Sequence, residues 1–263
     1  WVVSNTGDSG YQVADDTSLA DVPSSFPGKL TKLLYARFIV GQPGLTLLPC
    51  ELIGSNGHVL KEIVLQLARR DYHNTRFEEW LEAQCCWVNT LVDRIVSAPL
   101  DPVGAVAEPY ALWAIQQTPG LVMPFEHPAV EVASSLQPFE LRKLHILNLA
   151  HTYLVDQWRQ NGLTESVTYV REAMQEPWLR NGLSEVMMQE VLPVLAPELP
   201  DMDLNAYWHN TLERFDNPYL DHRLEDIANY HGDKLTRRLE PVVELGIKYE
   251  IATPRLCAAL GRK

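Results

Sequence analysis

Long apolar runs are missing from this 263-residue sequence. No stretch approaches the ~18 consecutive apolar residues that suggest a membrane-spanning helix, so no membrane partner is expected. No basic segment precedes an apolar one at the start, so no signal peptide is visible. Positive charge is scarce: 22 Lys and Arg stand against 34 Asp and Glu, for a net charge of −12. Nucleic acid is held by a Lys/Arg excess, so it is not the expected partner. A local basic pocket for an anionic metabolite remains compatible with that balance. The four cysteines, Cys50, Cys85, Cys86 and Cys257, form no spaced framework, which points to a reduced, cytoplasmic setting. Zinc needs convergent Cys and His ligands. Cys85 and Cys86 are adjacent, and His145 and His151 fall about 120° apart on a helix, so no metal site is expected. The Gly-x-Ser-x-Gly elbow of the serine hydrolases is missing. So is a glycine-rich phosphate-binding turn. Asn5-Thr6-Gly7-Asp8-Ser9-Gly10 reads instead as a loop after a strand.

What is present organises into two parts. Trp1 to Ser4 reads as a buried strand, and the acidic stretch from Asp15 to Asp21 as a loop. A helix opens at Pro27-Gly28, with Leu30, Leu33, Leu34 and Phe38 at helical spacing. Gly44 to Pro49 reads as a strand and Gly54 to Gly57 as a turn. His58 to Arg70 reads as a helix, and so does Thr75 to Gln84, capped by Asn74 or Thr75. This order is that of the trailing half of a doubly wound α/β domain. The proline-rich segment from Ala98 to Val103 marks a boundary, which places one domain at residues 1–100 and a second at 101–263. Tyr110 to Ile115 and Leu121 to Pro124 read as extended. Beyond Pro138 helical periodicity recurs over Glu140 to Asp156, Val167 to Met174, Ser184 to Leu195, Asp203 to Phe215 and Leu224 to Leu245. Lys234, Arg237 and Arg238 in the last of these read as a solvated face.

The segment that carries chemistry runs from Pro138 to His151. At about 100° per residue, Lys143, Asn148 and His151 fall near 0°, 140° and 80° on one helix, so they share a single face, with His151 between the other two in projection. Such spacing is commoner on a solvated polar face than in a catalytic site. Here the flanking positions Leu144, Ile146, Leu147, Leu149 and Ala150 are apolar, and a lysine on a buried helix is costly. An amine can exchange a proton with an alcohol oxygen once burial lowers its pKa. A carboxamide N–H can stabilise charge developing on that oxygen. An imidazole can orient a neighbouring hydroxyl.

This Lys-x4-Asn-x2-His pattern resembles the long-chain polyol dehydrogenases, the mannitol dehydrogenase/altronate oxidoreductase family. Other segments agree in order: Val92-Asp93-Arg94-Ile95, Glu108-Pro109-Tyr110-x-x-Trp113, and Arg214-Phe215-x-Asn217-Pro218. Ser4-Asn5-Thr6 and Pro49-Cys50-Glu51-Leu52-Ile53-x-x-Asn56-Gly57 look most like the tagaturonate reductase branch. Polyol-type members have Asn where Leu52 stands, which also leans toward the sugar-acid branch.

The resemblance implies an α/β fold: a partial Rossmann-type domain followed by a mainly α-helical substrate domain, with the active site in the cleft between them. It implies Lys143 as general acid and base, Asn148 at the oxyanion, and His151 in the network around them. Asp93, Asn56, Arg214 and His222 are the implied substrate contacts; an arginine is suited to a carboxylate, and a helix-end salt bridge is the alternative reading of Arg214. Asn5 and Thr6 are the implied cofactor contacts. The cofactor would be NAD, with NADP left open. The substrate would be a small sugar acid, such as tagaturonate paired with altronate. The alternative is a neutral polyol such as mannitol paired with fructose. Oligomeric state is left open. The start on Trp1 and the apolar end from Leu256 to Leu260 read as a piece of a longer polypeptide, so a non-catalytic helical interaction module is a further alternative. A lysine Schiff-base enzyme using Lys143 is another.

Overall fold

The computed structural model describes residues 1–262 apart from 8, 14–18 and 20. The acidic loop expected over 15–21 lies largely outside the described residues. The chain divides into two compact units, residues 1–93 with 111–136 and residues 94–110 with 137–263. The chain therefore crosses between the two units three times. Strand pairing gives the reason, because 111–136 supplies two strands to a sheet of the first unit.

In the first unit β1 (Val2–Ser4), α1 (Phe26–Ile39), β2 (Thr46–Pro49), α2 (Asn56–Tyr72), α3 (Thr75–Ala83) and β3 (Cys86–Trp87) follow in order. The strands form a parallel sheet β1-β2-β3, in register from Val2 opposite Leu47. Parallel strands need helical crossovers, and α1 and α2–α3 provide them. Ser25 caps α1 by accepting the Gly28 N–H, and Asn74 caps α3 by accepting the Phe77 N–H. Leu30, Leu34, Leu47, Leu60, Val64, Phe77 and Leu81 close the core of this layer. A second sheet, β4 (Thr90–Asp93), β7 (Leu112–Gln116) and β8 (Val130–Ala133), has the order β4-β7-β8. The extended segment expected over Leu121 to Pro124 is not a strand.

The second unit begins with a hairpin, β5 (Val96–Pro99) and β6 (Ala105–Ala107), that the sequence pattern did not show. Helices follow. α4 (Gln137–Arg142) runs through a π-helical turn at Lys143–Asn148 into α5 (Leu149–Gln160). After these come α6 (Val170–Ala173), α7 (Pro177–Val186), α8 (Leu192–Leu195) and α9 (Leu204–Phe215). The single helix expected over Leu224 to Leu245 is broken into α10 (Leu224–Ile227), α11 (His231–Arg238) and α12 (Glu240–Lys248), and α13 (Pro254–Ala259) follows. Tyr230 takes a left-handed φ of 54° at the first break, and Pro241 is accommodated at the start of α12. The core of this unit centres on Ile146, Leu149, Leu154, Leu183, Val191 and Trp208. Among the described residues no helix is long and apolar enough to cross a membrane.

Candidate active site

Lys143 and Asn148 lie at the two ends of the π-helical turn, and His151 lies in the first turn of α5. The Leu149 N–H donates to the Leu144 carbonyl five residues back, the spacing that defines a π turn. This alters the geometry expected from a uniform α-helix. At 100° per residue Lys143 and Asn148 would project about 140° apart. With i→i+5 bonding the turn is wider, so residues five apart project closer together than on an α-helix. The wide turn thus brings the Asn148 position closer to the side of the helix that carries Lys143 than an α-helix would. Single-turn π insertions occur frequently at functional sites.

His151 is 5% exposed. Its pKa is held well below the ordinary 6.5, first by burial and then by the neighbouring His222, Arg238 and Arg214. The ring is therefore neutral at pH 7. It also hydrogen-bonds the Leu147 carbonyl, which requires an N–H on the ring. Its Nε2 is buried with no hydrogen-bond partner, so the bare nitrogen presents an unused lone pair. The ring packs 4.2 Å from Phe215 and 4.8 Å from His222, centroid to centroid. His222 Nδ1 is likewise buried without a partner. Burial lowers the His222 pKa, with Asp226 opposing and Lys234 reinforcing. His151, His222, Arg214, Phe215, Ile95 and Leu220 help line a small, tightly packed crevice with no room for a water molecule.

Arg214, at the end of α9, donates from Nε and Nη2 to the Glu108 carboxylate, at 2.9 and 2.8 Å. Its guanidinium also lies 4.2 Å from the Tyr110 ring centroid. The two side chains are 4% and 1% exposed, and Glu108 Oε1 also accepts the Ile95 N–H at 2.6 Å. Arg214 thus forms the salt bridge that was the alternative reading of this residue, with Glu108 as its partner.

Arg238 is the residue that the sequence pattern missed. It was expected on a solvated face with Lys234 and Arg237, yet it is half-buried. Its Nη1 donates to the Asn148 carbonyl at 3.0 Å and to Thr152 Oγ1 at 2.8 Å. Lys234 also turns back, donating to the Ile227 carbonyl at 2.8 Å. Only Arg237 keeps the exposed position expected of that face.

The first unit holds the other expected residues. Asn56 is 1% exposed. Its Nδ2 sits at 2.9–3.1 Å from the carbonyls of Pro49, Glu51 and Thr90, and its Oδ1 accepts the N–H groups of Gly57 and Thr90. An amide has two donor hydrogens, and both are consumed. Asn56 is thus a clamp tying the end of β2 to the start of β4. Gly57 is required beside it, since a Cβ there would lie 2.3 Å from the Val88 carbonyl oxygen. Asp93 ends β4, buried at 1% exposure.

Asn5 is exposed. Thr6 donates its N–H and its hydroxyl to Glu51 Oε1, at 3.1 and 2.9 Å. Glu51 Oε2 accepts the Ser4 hydroxyl at 3.0 Å and the Tyr11 hydroxyl at 3.3 Å. This buried carboxylate, whose role the sequence did not reveal, orders the loop after β1. Burial and the Glu51 charge push the Tyr11 phenol well above its ordinary range, and burial pushes the Cys50 thiol up to about 11. Both groups are thus inert near pH 7. Thr6, Ser9, Gly10, Ser25 and Lys29 help line a groove of about 670 Å³. It opens beyond the carboxyl end of β1, where open α/β sheets bind ligands. Its hydroxyls and single ammonium fit one part of a dinucleotide. They do not supply the glycine-rich N–H cradle that a pyrophosphate needs. Among the described residues no His, Cys, Asp and Glu cluster could hold a metal ion.

The fold and these residues define a Rossmann-type domain joined to a helical dehydrogenase domain. The mannitol dehydrogenase Rossmann domain model matches residues 2–123, and the mannitol dehydrogenase C-terminal domain model matches residues 135–262. The chain belongs to the mannitol dehydrogenase family. Among curated relatives it is 34% identical to altronate oxidoreductase of Bacillus subtilis (strain 168) over 93% of its own length and 54% of that protein. It is 33% identical to altronate oxidoreductase of Yersinia pestis over 92% of its length and 53% of that protein. The chain thus spans about half the length of the curated relatives it matches. A substrate-free D-sorbitol dehydrogenase superposes with a TM-score of 0.80 at 21% identity, over 98% of this chain and 58% of that one. The mannitol 2-dehydrogenase of Pseudomonas fluorescens, solved with NAD and D-mannitol, gives 0.70 at 23% identity over the same shares. At these identities the two structures establish the fold.

Proposed function

We propose that this chain carries the proton-transfer site of an NAD-linked dehydrogenase that interconverts a secondary alcohol and a ketone on a linear sugar acid, of the altronate and tagaturonate kind. The observation that supports the reading is the π turn between Lys143 and Asn148, followed within one turn by His151, whose buried ring is neutral and keeps Nε2 unpartnered. The curated similarity to altronate oxidoreductases favours the acid substrate.

A nicotinamide, when bound, would supply or accept the hydride. In reduction Lys143, as an ammonium, gives a proton to the carbonyl oxygen while the carbonyl carbon receives the hydride. In oxidation its neutral amine takes the proton from the alcohol. The Asn148 N–H donates to that oxygen as negative charge develops on it. His151 Nε2 accepts from an adjacent hydroxyl of the sugar chain, which fixes the carbon that faces hydride transfer. Lys29 and the hydroxyls of the groove beyond β1 would hold part of the dinucleotide. Asp93 and His222 are retained as substrate-side groups.

Steady-state kinetics on the full-length protein test this, with altronate and mannitol each offered with NAD⁺ and NADP⁺. The expected result is a higher kcat/KM for altronate with NAD⁺. Equal kcat/KM for the acid and the polyol would remove the sugar-acid assignment. Lys143→Ala is expected to lower kcat by roughly 10²–10⁴-fold with folding intact. A loss below about tenfold would remove the lysine from the proton transfer.

A further inference from the structure

The π turn is not closed by backbone bonds alone. The Asn148 carbonyl receives two side-chain donors, Thr152 Oγ1 at 3.1 Å and Arg238 Nη1 at 3.0 Å. The same Arg238 nitrogen donates to Thr152 Oγ1 at 2.8 Å, so the three groups form a closed triangle. The backbone of Arg238 grips the turn as well, since its carbonyl lies 2.9 Å from His145 Nδ1. Burial keeps His145 neutral, so its Nδ1–H is the donor. One residue at the end of α11 therefore holds the turn at two places, three residues apart. No ion pair joins Arg238 to a carboxylate among the described residues, and a surface role in charge pairing does not explain its position. A partly buried guanidinium without a counter-ion is expensive to keep, while its hydrogen bonds to the turn are charge-assisted and correspondingly strong.

We propose that Arg238 is a positioning residue for the reaction: by fastening the Asn148 carbonyl and, through it, the π turn, it keeps Asn148 turned toward the side of the helix that carries Lys143. Without this fastening the segment can relax toward an ordinary α-helix. The i→i+4 register would then turn the Asn148 carboxamide away from Lys143, by the angular difference between the two helix types. The loss would fall on transition-state stabilisation more than on substrate binding, because His151 and the packed core around it lie in the regular helix. The inference rests on the catalytic reading of Lys143 and Asn148 given above.

The test compares Arg238→Leu, Arg238→Lys and Thr152→Val with Lys143→Ala in the full-length protein, using the sugar acid as substrate. Arg238→Leu is expected to lower kcat on the order of tenfold to a hundredfold, the scale of a misplaced catalytic group, with KM within about threefold. Guanidinium ion added to the buffer is expected to restore part of the activity, and Arg238→Lys to fall between the parent and the leucine variant. An Arg238→Leu enzyme with kcat within about threefold of the parent overturns the proposal, as does a loss carried by KM alone. Should that variant fail to fold, Thr152→Val decides the matter. It keeps the shape and removes the shared hydroxyl, with an expected kcat loss of about threefold at constant KM, roughly the worth of one neutral hydrogen bond. Unchanged kcat in Thr152→Val then overturns the proposal. If Lys143→Ala retains activity, the catalytic reading has failed. If Lys143→Ala is inactive while the Arg238 and Thr152 variants match the parent, only the positioning role has failed.

Discussion

The rings of His151 and His222 meet edge to face with centroids 4.8 Å apart, and each keeps one buried nitrogen without a hydrogen-bond partner. Two imidazoles in that relation cannot both be protonated cheaply, and burial adds to the penalty. Both pKa values are lowered from 6.5. The folded state therefore prefers the neutral rings, and as pH falls below about 6.5 the unfolded chain takes up protons first. Stability present above pH 6.5 should be lost as pH drops toward 5, at up to about 1.4 kcal/mol per pH unit for each histidine. Urea midpoints measured from pH 7.5 to 5 check this, and His151→Gln should show a shallower acid-side decline. Parallel curves for the parent and the variant would show that His151 is not the source.

The Arg214–Glu108 pair makes a separate prediction. Both groups are buried, and Glu108 also satisfies the Ile95 N–H. Removing one partner leaves an uncompensated buried charge, at a cost of about 3–5 kcal/mol. Arg214→Met should therefore destabilise the protein by that amount in chemical denaturation. Arg214→Met combined with Glu108→Leu should recover part of the loss. If Arg214 instead served mainly to bind a substrate carboxylate, its substitution would raise KM and leave the denaturation midpoint in place.

What the sequence made legible follows from the physics of each signal. Apolar periodicity located α1, α2 and α9 closely, because each buries one stripe against a single core. Asn74 before Thr75 marked the start of α3 through its capping side chain. The Lys-x4-Asn-x2-His spacing picked out the candidate segment, yet helical projection assumed a uniform α-helix where a π turn occurs. A π insertion changes the angle per residue without any change of composition. Arg238 and Glu51 were invisible as functional residues for a related reason. Their importance comes from partners 90 and 45 positions away, and single-sequence patterning reads only near neighbours. The β5–β6 hairpin escaped notice because its strands are short and exposed in part, so they show no alternation.

Asn56 yields a prediction in which size is constant and only hydrogen-bond polarity changes. Its amide nitrogen faces three backbone carbonyls, and its oxygen faces two N–H groups. Asn56→Asp would present a carboxylate oxygen to those carbonyls. Losing buried hydrogen bonds in this way costs about 1–3 kcal/mol for each unsatisfied group. Asn56→Asp should therefore lower the melting temperature of the protein by many degrees at pH 7, and less near pH 4, where the acid carries one donor hydrogen. A melting temperature at pH 7 equal to that of the parent would mean that this clamp does not hold β2 and β4 together.

Glu51 allows cofactor binding to be separated from chemistry. Its two oxygens receive the Ser4 hydroxyl, the Thr6 N–H and hydroxyl, and the Tyr11 hydroxyl, and this fixes the loop that borders the groove beyond β1. Glu51→Gln keeps the volume but turns one acceptor oxygen into an NH₂ group, which meets donors where the carboxylate met them as an acceptor. At least one of these hydrogen bonds is then lost and the loop gains freedom. The cost of ordering it again on binding should weaken NADH affinity by about tenfold, equivalent to about 1.4 kcal/mol. Lys143 lies in the other unit and is untouched, so kcat at saturating NADH should change by less than about threefold. Fluorescence titration with NADH and steady-state kinetics on the full-length protein measure the two quantities separately. Unchanged NADH affinity in Glu51→Gln would remove the loop after β1 from the cofactor site, and a fall in kcat without a change in affinity would place Glu51 in the chemistry instead.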